Sequence, residues 1–591
     1  MVLLLSRSLW ETLGPSLCLS ALLAHQIFRR CEMFSLLLHS SLVFLPPAMA
    51  TSYTIFAPSD ELGVFSTMVF SYVVYLGMLS TSVIFYRFSP FHPLHRYPGP
   101  FWCRTSMFWH AVRITAGQQM RYLRVLHERY GDIVRIGPNM ISVRDVSLIG
   151  PVLGASGIPK SAFYKGTVLS EETVHIAGIQ NIEEHSHRRR AWTRGLAPTA
   201  LRHYENIAAT RIRQLVDVLE VQKGVVVLGD WFNYLAFDFM SDMAYVSTSS
   251  VILIQLYWHA CSFNGGSELM QEGDHDNIWA LLEKGIVAGL FMGQVPWLGI
   301  YLGYIPGATG PINTLLDYGR EQSMKRVAQG SITRDLFYYL NNEDLPQKEP
   351  PPFFQLLNDG IVAIIAGADT TSSALTSIFY CLLRDPSTYA AIQDEVDQVY
   401  PLGENVYDMK RHHDLHYLTA VIHEALRLFP PVPTNSSRQV PHHSKPLVFG
   451  SVVLPPGTLI HISPYVLHRD PRNFVFPDTF WPERWLIASG QLTIESARLP
   501  QGLAPPPVHH RTPDFQFVHN EAAFIPFSVG PMNCPGKGLA MQQMRTVVCA
   551  LVQKFRFRLQ AGWDPREYEE NFKDYLTANR PELPVELEPR F

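Results

Sequence analysis

Residues 64–86 run VFSTMVFSYVVYLGMLSTSVIFY, 23 positions without a charge. As an α-helix such a run is about 34 Å long, enough to cross the hydrocarbon core of a bilayer. Arg87 and Arg96 follow it, whereas Asp60 and Glu61 precede it. Positive charge stays on the cytoplasmic side, so the bulk of the chain is expected in the cytoplasm. A buried core helix is the blander reading of the same run. His92-Pro93-Leu94-His95-Arg96-Tyr97-Pro98-Gly99-Pro100 comes next, and its prolines make a stiff linker over 87–100. Upstream, 13–28 and 33–49 are apolar but broken by Arg29, Arg30 and Glu32. Residues 1–63 thus read as an apolar extension, either an extra hairpin or sequence ahead of a true start near Met49.

The remaining length, 101–591, is ample for one large core, since 47% of the chain is hydrophobic and 17% charged. A net charge of −4 gives no reason to expect a nucleic-acid partner. The cysteines, at 18, 31, 103, 261, 381, 534 and 549, have no paired spacing. That argues against a disulfide framework or a zinc site and fits a reducing compartment. Helical periodicity covers 115–130, 200–222, 276–292, 312–329, 355–384, 387–400 and 415–428. Strand-like runs occupy 132–137, 140–143, 447–454 and 458–462, and 499–514 is an irregular Pro/Gly/His-rich stretch. The pattern predicts a mainly α domain with small β-sheets and no internal repeat.

Phe527-Ser-Val-Gly530-Pro531-Met532-Asn533-Cys534-Pro535-Gly536-Lys537-Gly538 carries the most specific chemistry. Cys534 lies between two Gly/Pro turns, immediately before an apolar helical stretch. Glycines let backbone approach a flat ligand closely. N–H groups at a helix start favour a thiolate over a thiol. By itself the loop reads rather as a buried structural cysteine. Three further groupings bear on it. Glu424 and Arg427 stand at i,i+3 on one helix face, with Pro482-Glu483-Arg484-Trp485 downstream. Ala366-Gly367-Ala368-Asp369-Thr370-Thr371 sits mid-helix, where Gly367 costs about 1 kcal/mol relative to alanine. That cost suggests a local widening, and Asp369 with Thr370 is an acid–alcohol pair apt for moving protons to a reacting oxygen. An ordinary small-residue helix crossing, with the threonine bonded to its own backbone, is the alternative. Finally, Glu184-His185-Ser186-His187-Arg188-Arg189-Arg190-Ala191-Trp192 is densely basic, with His185 and Arg189 at i,i+4.

Together these groupings resemble the cytochrome P450 family over roughly residues 90–590. The loop matches F-x-x-G-x-R-x-C-x-G at Phe527, Gly530, Cys534 and Gly536, and departs from it at Met532, where the family carries arginine. The resemblance implies a P450 fold, with haem b between two long helices behind an N-terminal transmembrane anchor and a proline-rich hinge. It implies that Cys534 is the axial ligand of the haem iron. It assigns His185, Arg189 and Arg438 to the haem propionates, sets Trp192 beside the haem, and gives Asp369 and Thr370 the catalytic proton transfers. Glu424, Arg427 and Arg484 become a buried structural triad, and His468 reads as structural. The implied activity is hydroxylation of a lipophilic small molecule, such as a fungal terpenoid or other secondary metabolite. Electrons would come from NADPH through a separate P450 reductase, with cytochrome b5 as a further donor. The implied location is the endoplasmic reticulum membrane, in a single pass.

Residues 245–262 interrupt a segment that related fungal chains run through directly, and they read as about 18 residues of translated intron. A genuine apolar insertion is the alternative. Substrate-lining positions are expected at 163–180, 287–306, Ile361, Ile365 and 432–437, with Phe291, Trp297 and Tyr301 at an apolar entrance. Two rival functions stay open: a haem-thiolate isomerase or dehydratase, which would not need Asp369 and Thr370, and a non-catalytic product of a defective gene.

Overall fold

The computed structural model describes residues 2–30, 35–56, 63–163, 174–245, 267–275, 278–302, 305, 307, 310–330, 333–401, 403–434, 437–500 and 516–591. The expectations for 499–514, beyond its first two residues, and for all but the first residue of 245–262 lie outside them. So does most of the 163–180 loop.

Three helices open the chain: α1 (Val2–Arg30), α2 (Leu36–Phe56) and α3 (Val64–Phe88). Leu9, Leu13, Leu17, Ala21 and Ala24 recur every three or four residues, so they share one face of α1, which packs against Tyr75 of α3. His25 Nδ1 meets Ser82 Oγ at 2.6 Å, and Tyr75 donates to the Leu42 carbonyl of α2. The uncharged run thus has two helical neighbours. α3 is long and apolar enough to cross a membrane, with mean hydropathy 1.8. Its outer face is open, with Phe65, Val73 and Phe85 exposed.

The remaining major helices are α4 (Ile182–Gly195), α5 (Pro198–Val221), α6 (Leu228–Tyr245), α7 (Ile278–Gln294), α8 (Pro296–Leu302) and α9 (Gly310–Gln329), followed by α10 (Phe353–Arg384), α11 (Pro386–Val399), α12 (His416–Leu428) and α13 (Lys537–Lys554). α10 is the central rod. It too passes the length-and-hydropathy test for a membrane span, but two-thirds of that window is buried in protein, as befits a core helix. Phe232, Phe237 and Met240 of α6, Leu375, Ile378 and Phe379 of α10, and Val547 and Leu551 of α13 fall in one continuous core.

The β portion is small. In the largest sheet Ile133–Gly137 pairs antiparallel with Met140–Val143, which runs parallel to Leu459–Ile462, itself antiparallel to Arg438–Gln439. The predicted strand 447–454 is two short strands turning at Gly450, whose φ is +58°. The predicted helix 115–130 begins at Gln119 instead. Gly117 has φ +69°, and a Cβ there would lie 2.7 Å from the Lys573 Cβ, so the chain must turn before the helix starts.

Candidate functional site

A cavity of about 330 Å³ lies between α10 and the loop leading into α13. The loop's shape comes from its backbone. Cys534 N–H donates to the Phe527 carbonyl at 2.9 Å, Ser528 N–H to Ile525 at 3.0 Å and Asn533 N–H to Gly530 at 3.1 Å. Ser528 and Gly530 both have positive φ, +57° and +77°. A Cβ on Gly530 would sit 2.1 Å from the Leu153 carbonyl oxygen, so only glycine allows the loop to lie against that backbone. Phe527, Cys534 and Gly536 line the cavity. Burial pushes the Cys534 thiol up. The Gly536 and Lys537 N–H groups and the charges of Arg189 and Lys537 act the other way without reversing it.

The opposite wall is one face of α10, formed by Val362, Ala363, Ala366, Gly367, Thr370, Thr371 and Ala374. The expected lining residues Ile361 and Ile365 are not among them. Ile361 instead reaches α9, within 2.5 Å of where a Cβ on Gly319 would stand. Gly367 lines the cavity, and a Cβ there would also come within 2.5 Å of the Met240 sulfur on α6. Thr370 borders the cavity while its hydroxyl donates to Ala366 O at 2.7 Å. Asp369, one residue before it, is buried away from the cavity. It is ion-paired with Arg580, which also donates to Ser372 Oγ at 3.2 Å. Nothing in the sequence signals Arg580, 211 residues distant.

One end of the cavity is basic. Lys160, His185, Arg189 and Arg438 line it together with Trp192, and among the described residues the lining contains no aspartate or glutamate. Arg189 donates to Asn533 Oδ1 at 2.7 Å and so ties α4 to the cysteine loop. Arg438 contacts the Met532 sulfur and donates to Ile158 O at 3.3 Å. Burial pushes His185 down to about 4, helped by the charges of Lys160, Arg189 and Arg438. The cationic neighbours are thus close enough to feel one another.

Behind the loop, Glu424 is wholly buried and fully bonded. Arg427 grips it in a fork at 2.8 and 2.9 Å, Arg484 Nε donates at 3.0 Å, and Trp481 N–H and Trp485 Nε1 complete its shell. Burial alone would raise this carboxyl, but the Arg427 and Arg484 charges hold it at about 2. Arg427 donates to the His468 carbonyl at 2.8 Å, and His468 Nε2 accepts from Ile525 N–H at 3.0 Å. A continuous bonded path therefore runs from the triad to the base of the cysteine loop.

A second cavity, of about 640 Å³, opens between α2, α3 and the catalytic domain. Val83, Ile84, Arg87, Phe108, Phe163 and Trp297 line it, and Ser437 and Gln439 border it from the side of the first cavity. Trp297 packs edge-on against Tyr301 and Phe108, and Phe108 lies 6.1 Å from Phe291. His39 of α2 stacks on Trp297 at 5.2 Å and hydrogen-bonds Tyr301. Of the expected 432–437 segment, Val432 lines the first cavity and Ser437 the second.

The donor set of the first cavity suits haem. It offers a single thiol on one wall, a small-residue apolar face opposite, and a carboxylate-free basic end for two propionates. Residues 321–585 match the family model described as Cytochrome P450. The chain is 28% identical over 527 residues to the cytochrome P450 monooxygenase notG' of Aspergillus versicolor, covering 88% of this chain and 86% of that one. It is 27% identical to the tryprostatin B 6-hydroxylase of Aspergillus fumigatus, over 87% of this chain and 84% of the relative. It is 28% identical to the trichothecene C-15 hydroxylase of Fusarium sporotrichioides, over 87% and 96%. The chain belongs to the cytochrome P450 family. It is a monooxygenase that uses haem b.

Proposed function

We propose that this protein hydroxylates a lipophilic small molecule of fungal secondary metabolism, with Cys534 as the axial thiolate ligand of haem iron. The observation that carries this reading is Cys534 facing the Ala366–Thr370 face of α10 across one cavity. When bound, haem supplies activation of dioxygen and delivery of one oxygen atom to a C–H bond. The chain's own residues do the rest. His185, Arg189 and Arg438 bind the carboxylates, while Trp192 and Phe527 flank the cofactor. Val362, Ala363 and Ala366 leave an apolar space for substrate. Thr370 holds a hydroxyl at the cavity wall, and Asp369 holds a carboxylate one residue behind it. Glu424, Arg427 and Arg484 do no chemistry and fix the loop that presents Cys534.

A terpenoid or an alkaloid-like substrate suits the apolar lining, and relatives named as tryprostatin and trichothecene hydroxylases are consistent with that range. We take α3 as the membrane anchor, 87–100 as the hinge and the endoplasmic reticulum as the site, with a P450 reductase delivering electrons. The test is the carbon monoxide difference spectrum of the reduced, membrane-expressed protein. A Soret band at the thiolate-ligated position is expected and should vanish in Cys534→Ala. A wild-type chain that binds haem without that band would overturn the ligand assignment, and one that binds no haem would favour the non-catalytic alternative. Hydroxylated product formed at the expense of NADPH and dioxygen separates hydroxylation from isomerisation or dehydration, which consume neither.

A further inference from the structure

Lys160 is the one lining cation that no motif singles out. Its backbone pairs with that of Arg438 in an isolated antiparallel bridge, flanked by Gln439 N–H to Pro159 O at 2.9 Å and Ser161 N–H to Ser437 O at 3.1 Å. Residues directly opposite in such a pair project to the same side. Lys160 and Arg438 therefore enter the cavity together, from the edge of the four-stranded sheet. Lys160 is 8% exposed, and its ammonium, with three donors, makes one hydrogen bond among the described residues, to Ile176 O at 3.5 Å. The charges acting on it are Arg438 and Arg189, both cations. The nearby carboxylate of Asp359 is committed elsewhere, to Arg188 at 2.9 Å and Ile176 N–H at 3.1 Å.

A buried ammonium without a counter-ion is costly, and among the described residues no carboxylate offsets that cost. Burial and the two arginines push Lys160 down to about 7, which is how such a group behaves until an anion arrives. Position 532, across from it, presents a thioether to Arg438 and no charge. We propose that Lys160 binds a carboxylate of the haem, as a fourth basic group beside His185, Arg189 and Arg438. This rests on the haem reading given above. The lysine supplies from the sheet edge a charge that position 532 does not carry.

The experiment measures loss of haem from the ferric holoprotein to excess apomyoglobin. A hydrogen bond to a charged group implies that Lys160→Met loses haem at least about tenfold faster, while Lys160→Arg stays close to wild type. Each protein is also loaded with haem dimethyl ester, whose carboxylates are masked, and there the gap between wild type and Lys160→Met should close. Equal rates with natural haem would overturn the proposal. A gap that persists with the ester would overturn it too, because the lysine would then act on the fold. Lys160→Gln, which keeps a polar head, is compared with Lys160→Arg if the methionine variant does not accumulate. The wild-type carbon monoxide band separates the two levels. With the band present and the rates equal, only the lysine assignment fails. With no haem bound, both fail.

Discussion

Glu424 stands wholly buried among two buried guanidinium groups, so its charge and theirs are mutually required. Glu424→Gln keeps the shape and removes the charge, which leaves Arg427 and Arg484 buried without a partner. Breaking a buried pair this way costs about 3–5 kcal/mol. A lower thermal midpoint and a smaller fraction of haem-loaded protein are expected on purification. The pH dependence has a definite sign. A carboxyl held at about 2 in the fold, against 4.5 when free, contributes stability that is complete above pH 4.5 and lost as pH falls toward 2. Denaturant titrations through that window should show a shallower acid slope for Glu424→Gln than for wild type. Arg580 offers a second residue-level prediction. It holds Asp369 in an ion pair just behind Thr370. Arg580→Met should lower product formed per NADPH several-fold and Arg580→Lys should restore part of it; unchanged coupling in both would disconnect Asp369 from proton delivery.

Elements built from contiguous motifs were legible in the sequence, because their chemistry is local. The cysteine loop, the i,i+3 pair on α12 and the basic turn of α4 could all be read from spacing. What could not be read came from pairs far apart in the chain: Met240 against Gly367, Arg580 against Asp369, Lys160 beside Arg438. The pairing of α1 with α3 also depends on contacts some 50 to 60 residues apart, such as that between His25 and Ser82. α6 shows how long-range contacts bear on a gene-level question. Asp238 accepts from Ser267 Oγ at 2.6 Å and from the N–H groups of Leu269 and Met270, while Arg211 binds both Asp242 and Glu268. The two sides of 246–266 are thus pinned to each other. Removing 245–262 leaves four residues between Ala244 and Ser267, which span up to about 16 Å. The deletion variant should retain the haem spectrum and match or exceed the wild-type thermal midpoint. Loss of both would show that the run is part of the protein.

At the scale of the whole molecule, the three N-terminal helices form a layer with apolar side chains open to the outside, among them Trp10, Leu23, Phe44, Phe65 and Phe85. Removing residues 2–56 strips α1 and α2 but keeps α3 and the hinge. That variant should still sediment with membranes, whereas removal through residue 88 should free most of the protein under high salt. The second cavity gives this layer a kinetic meaning. Its walls are α2 and α3 on one side and Phe108, Phe163 and Trp297 on the other; with α3 as the proposed anchor and this cavity as the proposed entrance, a molecule dissolved among lipid tails would meet it before one dissolved in water does. The enzyme then follows surface dilution. At fixed total substrate and enzyme, adding inert phospholipid should slow turnover in proportion to the fall in substrate mole fraction within the bilayer, while changing the aqueous volume should leave it nearly constant.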